Sequence, residues 1–549
     1  MSDSRRNSSN YNKNRSAASG RSYASGAGHN RTHTSGSGSG RTHTSGTGNH
    51  RTHTSSSSHS KMSKKKRKKR NRILRNVGLI ISFILLIITI VFIVHMHRVE
   101  LLPMSYEILI SALLLLVVAF IFITQRWVGP GIFTKILAVL LSVVLVIGSV
   151  YLDATYKALK KMTNTTTVTS VVGVYVLKSS NTDDILALDG MNCGRLSTLD
   201  KENTEKMVAH IKSDAKISLN YKNYDGIAQL VEALYSGEVK SIIFNDSYLG
   251  ILQDMDEYRD FESKTKCIYT QEYKTVIQNK EPEVNNEDHI ITMYISGIDT
   301  RTGDVNSNSN SDVNIMCIAN LKTHQILLVN TPRDYYIPTS VSNGAKDKLT
   351  HAGVYGVDCS MSTLELLYDV ELDYYFKVNF KGFIQIVDQL GGITVHSDYD
   401  FVTHHGGDHI KVGNNYLTGK QALGFVRERY AFATGDNQRG KNTMAVIKAL
   451  VTKMASSSML ANYTNVLESI SDSMVTNMPY EKIGDIAKMQ LNGMPSWDVQ
   501  QFSVEGTGAT KSTYSYKPPT YVMIPKQETV DQAKSYIKAI CSDEIISTQ

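Results

Sequence analysis

DVNIMCIANLKTHQILLVNTPRD, residues Asp312–Asp334, sets two apolar runs back to back with only Lys322-Thr323 between them. Residues 312–321 and 324–330 read as the strands of a hairpin. Upstream, HIITMYISGI at 289–298 is a third, buried strand. Downstream, Met361–Tyr368 and Phe383–Leu390 carry helical patterns, and Gly391-Gly392 caps the second of them. ITVH at 393–396 is a further strand, 441–455 a long amphipathic helix, Tyr514–Pro525 loop and strand, and Thr529–Cys541 a last helix. Strands and helices interleave, so the fold class is α/β, with a mixed sheet covered by helices over residues 286–549.

Residues 153–285 repeat the alternation on a smaller scale. VVGVYVL at 171–177 reads as a buried strand, Tyr224–Tyr235 as an amphipathic helix and Val239–Phe244 as another strand. This is a small α/β accessory domain without a catalytic constellation. NKEPEVNNED, near 279–288, is a polar linker.

The first third of the chain has another character. Residues 1–72 are rich in Ser, Gly, Asn, Thr and Arg, with Asp3 the sole acid; RSYAS at 21 is followed by RTHTS at 31, 41 and 51. Such repeats bury nothing and are expected to stay disordered; their isolated histidines make a poor metal site. KMSKKKRKKRNRILR at 61–75 holds ten Lys and Arg. Alone it reads as a nucleic-acid patch, but apolar segments follow at Ile73–Val94, Ile108–Thr124 and Ile132–Leu152. Each is near bilayer-spanning length, so residues 73–152 are expected to be three transmembrane helices in a multi-pass membrane protein. The basic run belongs on the cytoplasmic side, and three crossings leave about 400 residues outside.

The net charge of +8 owes much to the tail, which would face anionic lipid. The outer part is close to balanced, so no nucleic-acid partner is expected. All five cysteines (193, 267, 317, 359, 541) fall in the outer part, where Cys193–Cys267 and Cys317–Cys359 are possible bridges by domain membership alone.

Charged residues collect at strand ends, where open α/β sheets place ligands. Asp299 closes the first strand, Asp312 opens the second and Arg333-Asp334 follows the third. ALGFVRERYAFATGDNQR, Ala422–Arg439, adds Arg427, Glu428, Arg429, Asp436 and Arg439. Guanidinium forks suit a polyanion such as pyrophosphate; a surface salt-bridge network fits the same segment equally well. Asp299 and Asp312 are candidates for a Mg²⁺ site, or for a turn cap and a strand bracket. Lys348 is placed to reach a phosphate or to stay solvated, and His351 reads as a structural histidine.

The ordered set GIDT (297–300), SDVN (311–314), TPRD (331–334), LTHAGVYG (349–356), VNFKGFIQIVDQLGGI (378–393), QALGFVRERY (421–430) and GDNQRG (435–440) resembles the LytR–CpsA–Psr family over 289–545. The three spans and small intervening domain look most like its capsular-polysaccharide branch. The resemblance implies a phosphotransferase at a Gram-positive cell surface. It would move a glycopolymer, capsule or another wall polymer, from a polyprenyl-pyrophosphate carrier onto peptidoglycan, with Mg²⁺ at the pyrophosphate. By matching position, Asp299 and Asp312 would hold the metal, Arg333, Arg427, Arg429 and Arg439 would grip the pyrophosphate, and Asp436 would orient arginines or assist the metal. A polyprenyl-lipid-binding regulator and a polyprenyl-pyrophosphate hydrolase are the alternatives. One departure stands out: the family often has Arg-Ser-Asp where this chain has Asn310-Ser311-Asp312, leaving Arg301 as a possible substitute.

Overall fold

The computed structural model describes residues 57–100, 102–163, 167–276, 289–298, 303–432, 435–456, 471, 474–493, 495–516 and 518–548. The ten-residue repeats, Asp299 and Arg301 lie outside the described residues.

Helices α1 (Ser57–Val99), α2 (Met104–Thr124) and α3 (Val128–Thr163) are long and apolar enough to cross a membrane. Phe83, Leu109 and Phe133 are each more than half exposed on them, a surface that suits hydrocarbon rather than water. The first helix starts at Ser57, ahead of the basic segment, so residues 57–72 are helical and not part of a disordered tail. The third does not stop at Leu152. Its last turns are supported by an Asp153–Lys157 pair (2.6 Å), and Ala158 and Leu159 are buried against Ile386, Leu390 and Met474. Tyr156 adds an edge contact to Tyr480 at 5.6 Å and carries the Arg98 guanidinium 4.2 Å over its face. The anchor is therefore packed onto the domain that follows, not merely strung to it.

The accessory sheet is built from β1 (Thr167–Leu177), β2 (Asn192–Leu196), β3 (Asn220–Tyr224), β4 (Ser241–Asn245) and β5 (Thr265–Val276), in the order β3-β2-β4-β1-β5. Helices α4 (Lys201–His210), α5 (Ile227–Tyr235), α6 (Leu249–Gln253) and α7 (Phe261–Lys264) accompany it. One core contains Val172, Val174, Met207 and Ile211; the other contains Leu230, Ile242, Phe244 and Phe261. That second core is completed from outside the domain, by Val354 and Tyr516.

The larger domain opens with β6 (Ile290–Ile298), β7 (Ser311–Asn320), β8 (Gln325–Asn330), β9 (Tyr336–Pro338) and β10 (Lys346–Lys348). Then come α8 (Leu349–Ala352), α9 (Val357–Tyr368), β11 (Tyr374–Asn379), α10 (Phe380–Gln389), β12 (Ile393–Ser397), β13 (Phe401–Val402), β14 (His409–Ile410) and β15 (Gly413–Leu417). It ends with α11 (Gly419–Arg427), α12 (Asp436–Met454), β16 (Met474–Thr476), α13 (Tyr480–Gly493), β17 (Asp498–Ser503), β18 (Gly506–Lys511), β19 (Thr520–Pro525) and α14 (Gln527–Cys541). Six strands make one mixed sheet, β16-β11-β6-β7-β8-β17. Met316, Ile318, Leu327 and Val329 share one core with Leu364 and Tyr368 of α9 and Val530 and Ile537 of α14. Ile315, Cys317, Ile326 and Leu328 share another with Met444 of α12. Burial on both faces explains the unbroken apolar runs at 315–319 and 326–329. The predicted strand at 393–396 forms, but pairs with β15 in a separate hairpin rather than joining the main sheet.

Neither possible disulfide exists: Cys193, Cys267, Cys317 and Cys359 form no bridge. β2 and β5 are separated by β4 and β1, so Cys193 and Cys267 stand roughly 14 Å apart at about 4.8 Å per strand, beyond the reach of a bridge. Cys317 faces α12, whereas Cys359 sits on α9 across the sheet.

Candidate functional site

β6, β8, β11 and β17 run in one direction and β7 in the other. Four strand ends and the start of β7 therefore meet at a single sheet edge. That edge carries Asp312, the turn Thr331–Asp334 and the loop at 303–310. The start of α12 lies across it at close quarters: a Cβ on Gly440 would come 2.2 Å from Asn330 Nδ2 and push that side chain aside. Asn330 in turn donates to Ser503 Oγ at 2.9 Å, tying β8 to β17 behind the helix.

At this edge Arg333 Nη1 donates to Asp312 Oδ1 at 2.8 Å. Arg439 Nη2 meets Asp436 Oδ1 at 2.7 Å and donates to the Asp312 carbonyl at 3.1 Å. Asp334 lies 3.7 Å from Arg333 Nε and 3.2 Å from Lys348 Nζ. Lys348 is buried, so the solvated reading of this lysine is wrong. Its neighbour His351 is buried too, paired through Nδ1 with Asp347 Oδ1 at 2.6 Å, and Asp347 accepts from the Ser515 backbone N–H at 2.9 Å. That pair joins β10 and α8 to the loop before β19, the structural role expected of His351.

Electrostatics separates the two flanking carboxylates. Burial raises the Asp312 carboxyl, but Arg333 and then Arg439 outweigh it and hold the group below the usual carboxylate range. Burial raises Asp436, and Arg439 and Arg333 offset this only in part, so its carboxyl stays above that range. Burial works against the Arg333 charge, but Asp312, Asp254 and Asp334 keep the guanidinium firmly protonated.

The RER motif sits at a helix end rather than on a strand. Arg427 closes α11, and its guanidinium lies 4.7 Å over the Phe380 ring. Arg429 is exposed and bonds the Tyr430 hydroxyl at 3.0 Å, yet its charge still acts on Asp312. Glu428 between them points inward, 1 % exposed, and accepts the backbone N–H groups of Tyr430 (2.8 Å), Ala431 (2.9 Å) and His404. It shapes the turn that separates the two arginines.

Of the residues singled out by sequence, the structure brings Asp312, Arg333, Asp436 and Arg439 into contact, holds Arg429 within electrostatic reach and sets Arg427 apart over Phe380. Sequence reasoning missed two participants, Lys377 and Asp254, and left Lys348 open. Lys377, buried on β11, donates to the Ser307 carbonyl at 2.9 Å and pins the loop before β7; burial lowers its ammonium to about 8. Lys348 joins the ion cluster. Asp254, from the turn after α6, reaches in from the accessory domain. The one signal was Asn310: a Cβ on Gly250 of α6 would come 2.7 Å from its Nδ2, so the accessory domain leaves little room for the longer arginine usual there.

Two cavities flank the cluster. An open groove of about 1060 Å³ runs along α12 from Asn437 and Gln438 to Lys453, walled by Tyr416, Lys448 and Phe502 among others. A smaller one of about 150 Å³ lies between the accessory domain and the 303–310 loop, touching Asp254, Asn310, Asp312 and Arg333. Among the described residues there is no group of three His, Cys, Asp or Glu that could hold a metal ion. Mg²⁺ is less demanding, taking one or two carboxylates plus phosphate oxygens and water. Asp312 spends Oδ1 on Arg333, and its second carboxylate oxygen is of the type such a site uses. The donors fit Mg²⁺ to that extent.

The profile of the LytR_cpsA_psr family matches residues 258–535. A second profile, DNA polymerase processivity factor, matches 130–244, about a fifth of the chain and starting within α3, which is too little to assign that family. A Bacillus cereus protein named polyisoprenyl-teichoic acid–peptidoglycan teichoic acid transferase TagU is 31% identical over 297 residues, 53% of this chain and 90% of the relative. An Enterococcus faecalis protein of the same name is 30% identical, covering 45% and 80%. The crystal structure of B. subtilis TagV aligns with 47% of this chain and 99% of its own, at 22% identity and a TM-score of 0.40.

Proposed function

The chain belongs to the LytR–CpsA–Psr family, and we propose that it is a membrane-anchored transferase that moves a glycopolymer from a polyprenyl-pyrophosphate carrier onto peptidoglycan. The observation that carries this reading is the cluster at the sheet edge. Arg333 and Arg439 are fixed by Asp312 and Asp436 from three separate stretches of chain, and their remaining N–H groups are a fork suited to phosphate oxygens. The names of the relatives supply the polymer class, teichoic acid for those proteins; capsule is the variant proposed for this chain, by its resemblance to the three-span branch.

In this reading a peptidoglycan hydroxyl oxygen attacks the sugar-bearing phosphorus. The bond from that phosphorus to the bridging oxygen breaks, and polyprenyl phosphate leaves with the bond's electron pair. The transfer needs positioning and charge neutralisation more than covalent protein chemistry. Arg333 and Arg439 bind the phosphates and stabilise the charge that develops on them. Asp436, whose carboxyl holds its proton more readily than an ordinary one, stands nearby to accept the hydroxyl proton. Mg²⁺ at Asp312 and Asp299 would neutralise phosphate charge. Arg427 and Arg429 would guide the carrier head at the rim, and the groove along α12 offers amide and lysine partners to a glycan. The basic start of α1 belongs in the cytoplasm, which puts the site outside the cell.

The test is full-length protein in detergent, given lipid-linked polymer and peptidoglycan with and without Mg²⁺. Covalent transfer is the expected result. Phosphate release without transfer would make the protein a hydrolase, and binding without turnover a regulator.

A further inference from the structure

The accessory domain reaches into the ion cluster. Its second core takes in Val354 and Tyr516 of the larger domain, and the Tyr516 hydroxyl donates to Glu257 Oε2 at 3.1 Å. Gly250 lies directly against Asn310, two residues before Asp312. The turn that follows carries Asp254, delivered by a docked element and not by a loose loop.

Asp254 spans two buried cations. Its Oδ1 is 3.7 Å from Arg333 Nη2 and its Oδ2 is 3.7 Å from Lys348 Nζ. Both distances are within ion-pair range and too long for a hydrogen bond. Oδ2 is shielded from solvent and has no hydrogen-bond partner. Asp312 differs, being bonded to Arg333 at 2.8 Å. Asp254 thus contributes its charge to both cations without occupying their donors. Around Arg333, Lys348 and Arg439 stand four carboxylates, of Asp254, Asp312, Asp334 and Asp436. An entering phosphate meets these carboxylates as well as the cations, and one of the carboxylates belongs to another domain.

We propose that Asp254 is a positioning residue that acts as an internal counter-anion: it holds Arg333 and Lys348 in register before substrate arrives and weakens their grip on phosphate, so that the accessory domain sets the affinity of the anion site. The proposal rests on the cluster being the phosphate site. A carrier phosphate that bound too tightly would stay as product; a fixed carboxylate behind the two cations keeps release possible. A residue that merely braced the fold would, when altered, weaken binding. A counter-anion predicts the opposite sign.

The experiment is calorimetric titration of inorganic pyrophosphate into full-length protein in detergent and Mg²⁺ buffer, alongside transfer kinetics. Asp254→Asn is expected to bind pyrophosphate about tenfold more tightly, since removing a unit charge one side-chain length from the anion is worth at least that in a half-buried site. Its KM for the lipid donor should fall while kcat falls or stays level. Asp254→Glu, which restores the charge, should return affinity towards wild type, and the exposed Asp225→Asn should change nothing. Unchanged or weaker binding by Asp254→Asn, or failure of that variant to fold, overturns the proposal. If Arg333→Ala binds pyrophosphate as well as wild type does, or if wild type binds none, the phosphate reading of the cluster falls, and this proposal with it.

Discussion

Replacing Arg333 with glutamine separates a phosphate ligand from a structural ion pair. The guanidinium is 16% exposed and stands among Asp312 at 2.8 Å and Asp254 and Asp334 at 3.7 Å. Its removal strands three carboxylates around a neutral amide. Breaking a buried pair by deleting one partner costs about 3–5 kcal/mol, so the unfolding midpoint should fall. Losing one preorganised donor to the reacting phosphate costs a further factor of about 10²–10³ in turnover. The two effects are separable. Measured on full-length protein well below its melting temperature, where the variant is still folded by circular dichroism, transfer of labelled polymer to peptidoglycan should drop at least a hundredfold. The Asp312 carboxyl, released from its first cationic partner, should titrate at higher pH. If transfer per folded molecule stayed within about threefold of wild type, Arg333 would be a brace for Asp312 and the pyrophosphate would have to bind elsewhere.

Asp312→Asn should weaken the response of transfer to Mg²⁺ along with the rate; an identical metal titration would remove Asp312 from the ligand set. Glu428→Gln should cut transfer several-fold and destabilise the domain by about 1–3 kcal/mol, because a neutral amide is a poorer acceptor for three inward N–H groups; chemical denaturation gives the second figure. Lys377 binds its proton less tightly in the fold, near pH 8, than in the open chain, near 10.5. Its burial penalty, about 3 kcal/mol by linkage, is fully present below pH 8 and is relieved as pH rises towards 10.5. Wild type should therefore gain stability relative to Lys377→Met across that window, and parallel curves would show the ammonium to be compensated.

Much of the frame was legible because its signals are local. The runs at 312–321 and 324–330 could hardly be anything but paired strands, and the stripe at 441–455 is helical on its own terms; the structure only extends it back to Asp436. Charged residues at strand ends pointed to the edge where the ion cluster forms, since β7 runs against β6 and β8 and brings its first residues to their last. What stayed hidden depends on distance along the chain. Asp254 and Arg333 are nearly eighty positions apart, and no pattern in either stretch announces the other. Lys348 looks like any surface lysine until Asp334 and Asp254 close over it. The two arginines of RER look equivalent in sequence, and only the inward Glu428 turns them to different neighbours. The disulfide expectation failed because shared domain membership says nothing of strand order.

Helix α3 has 36 residues, roughly 54 Å at 1.5 Å per residue, against about 30 Å of hydrocarbon. The surplus is committed to Ile386, Leu390 and Met474 and does not swing free. A catalyst mounted in this way works at one altitude. If the chain acts as proposed, both reactants would have to reach it within the same thin slab of space, and a thicker gap between membrane and wall would lower transfer without touching the ion cluster.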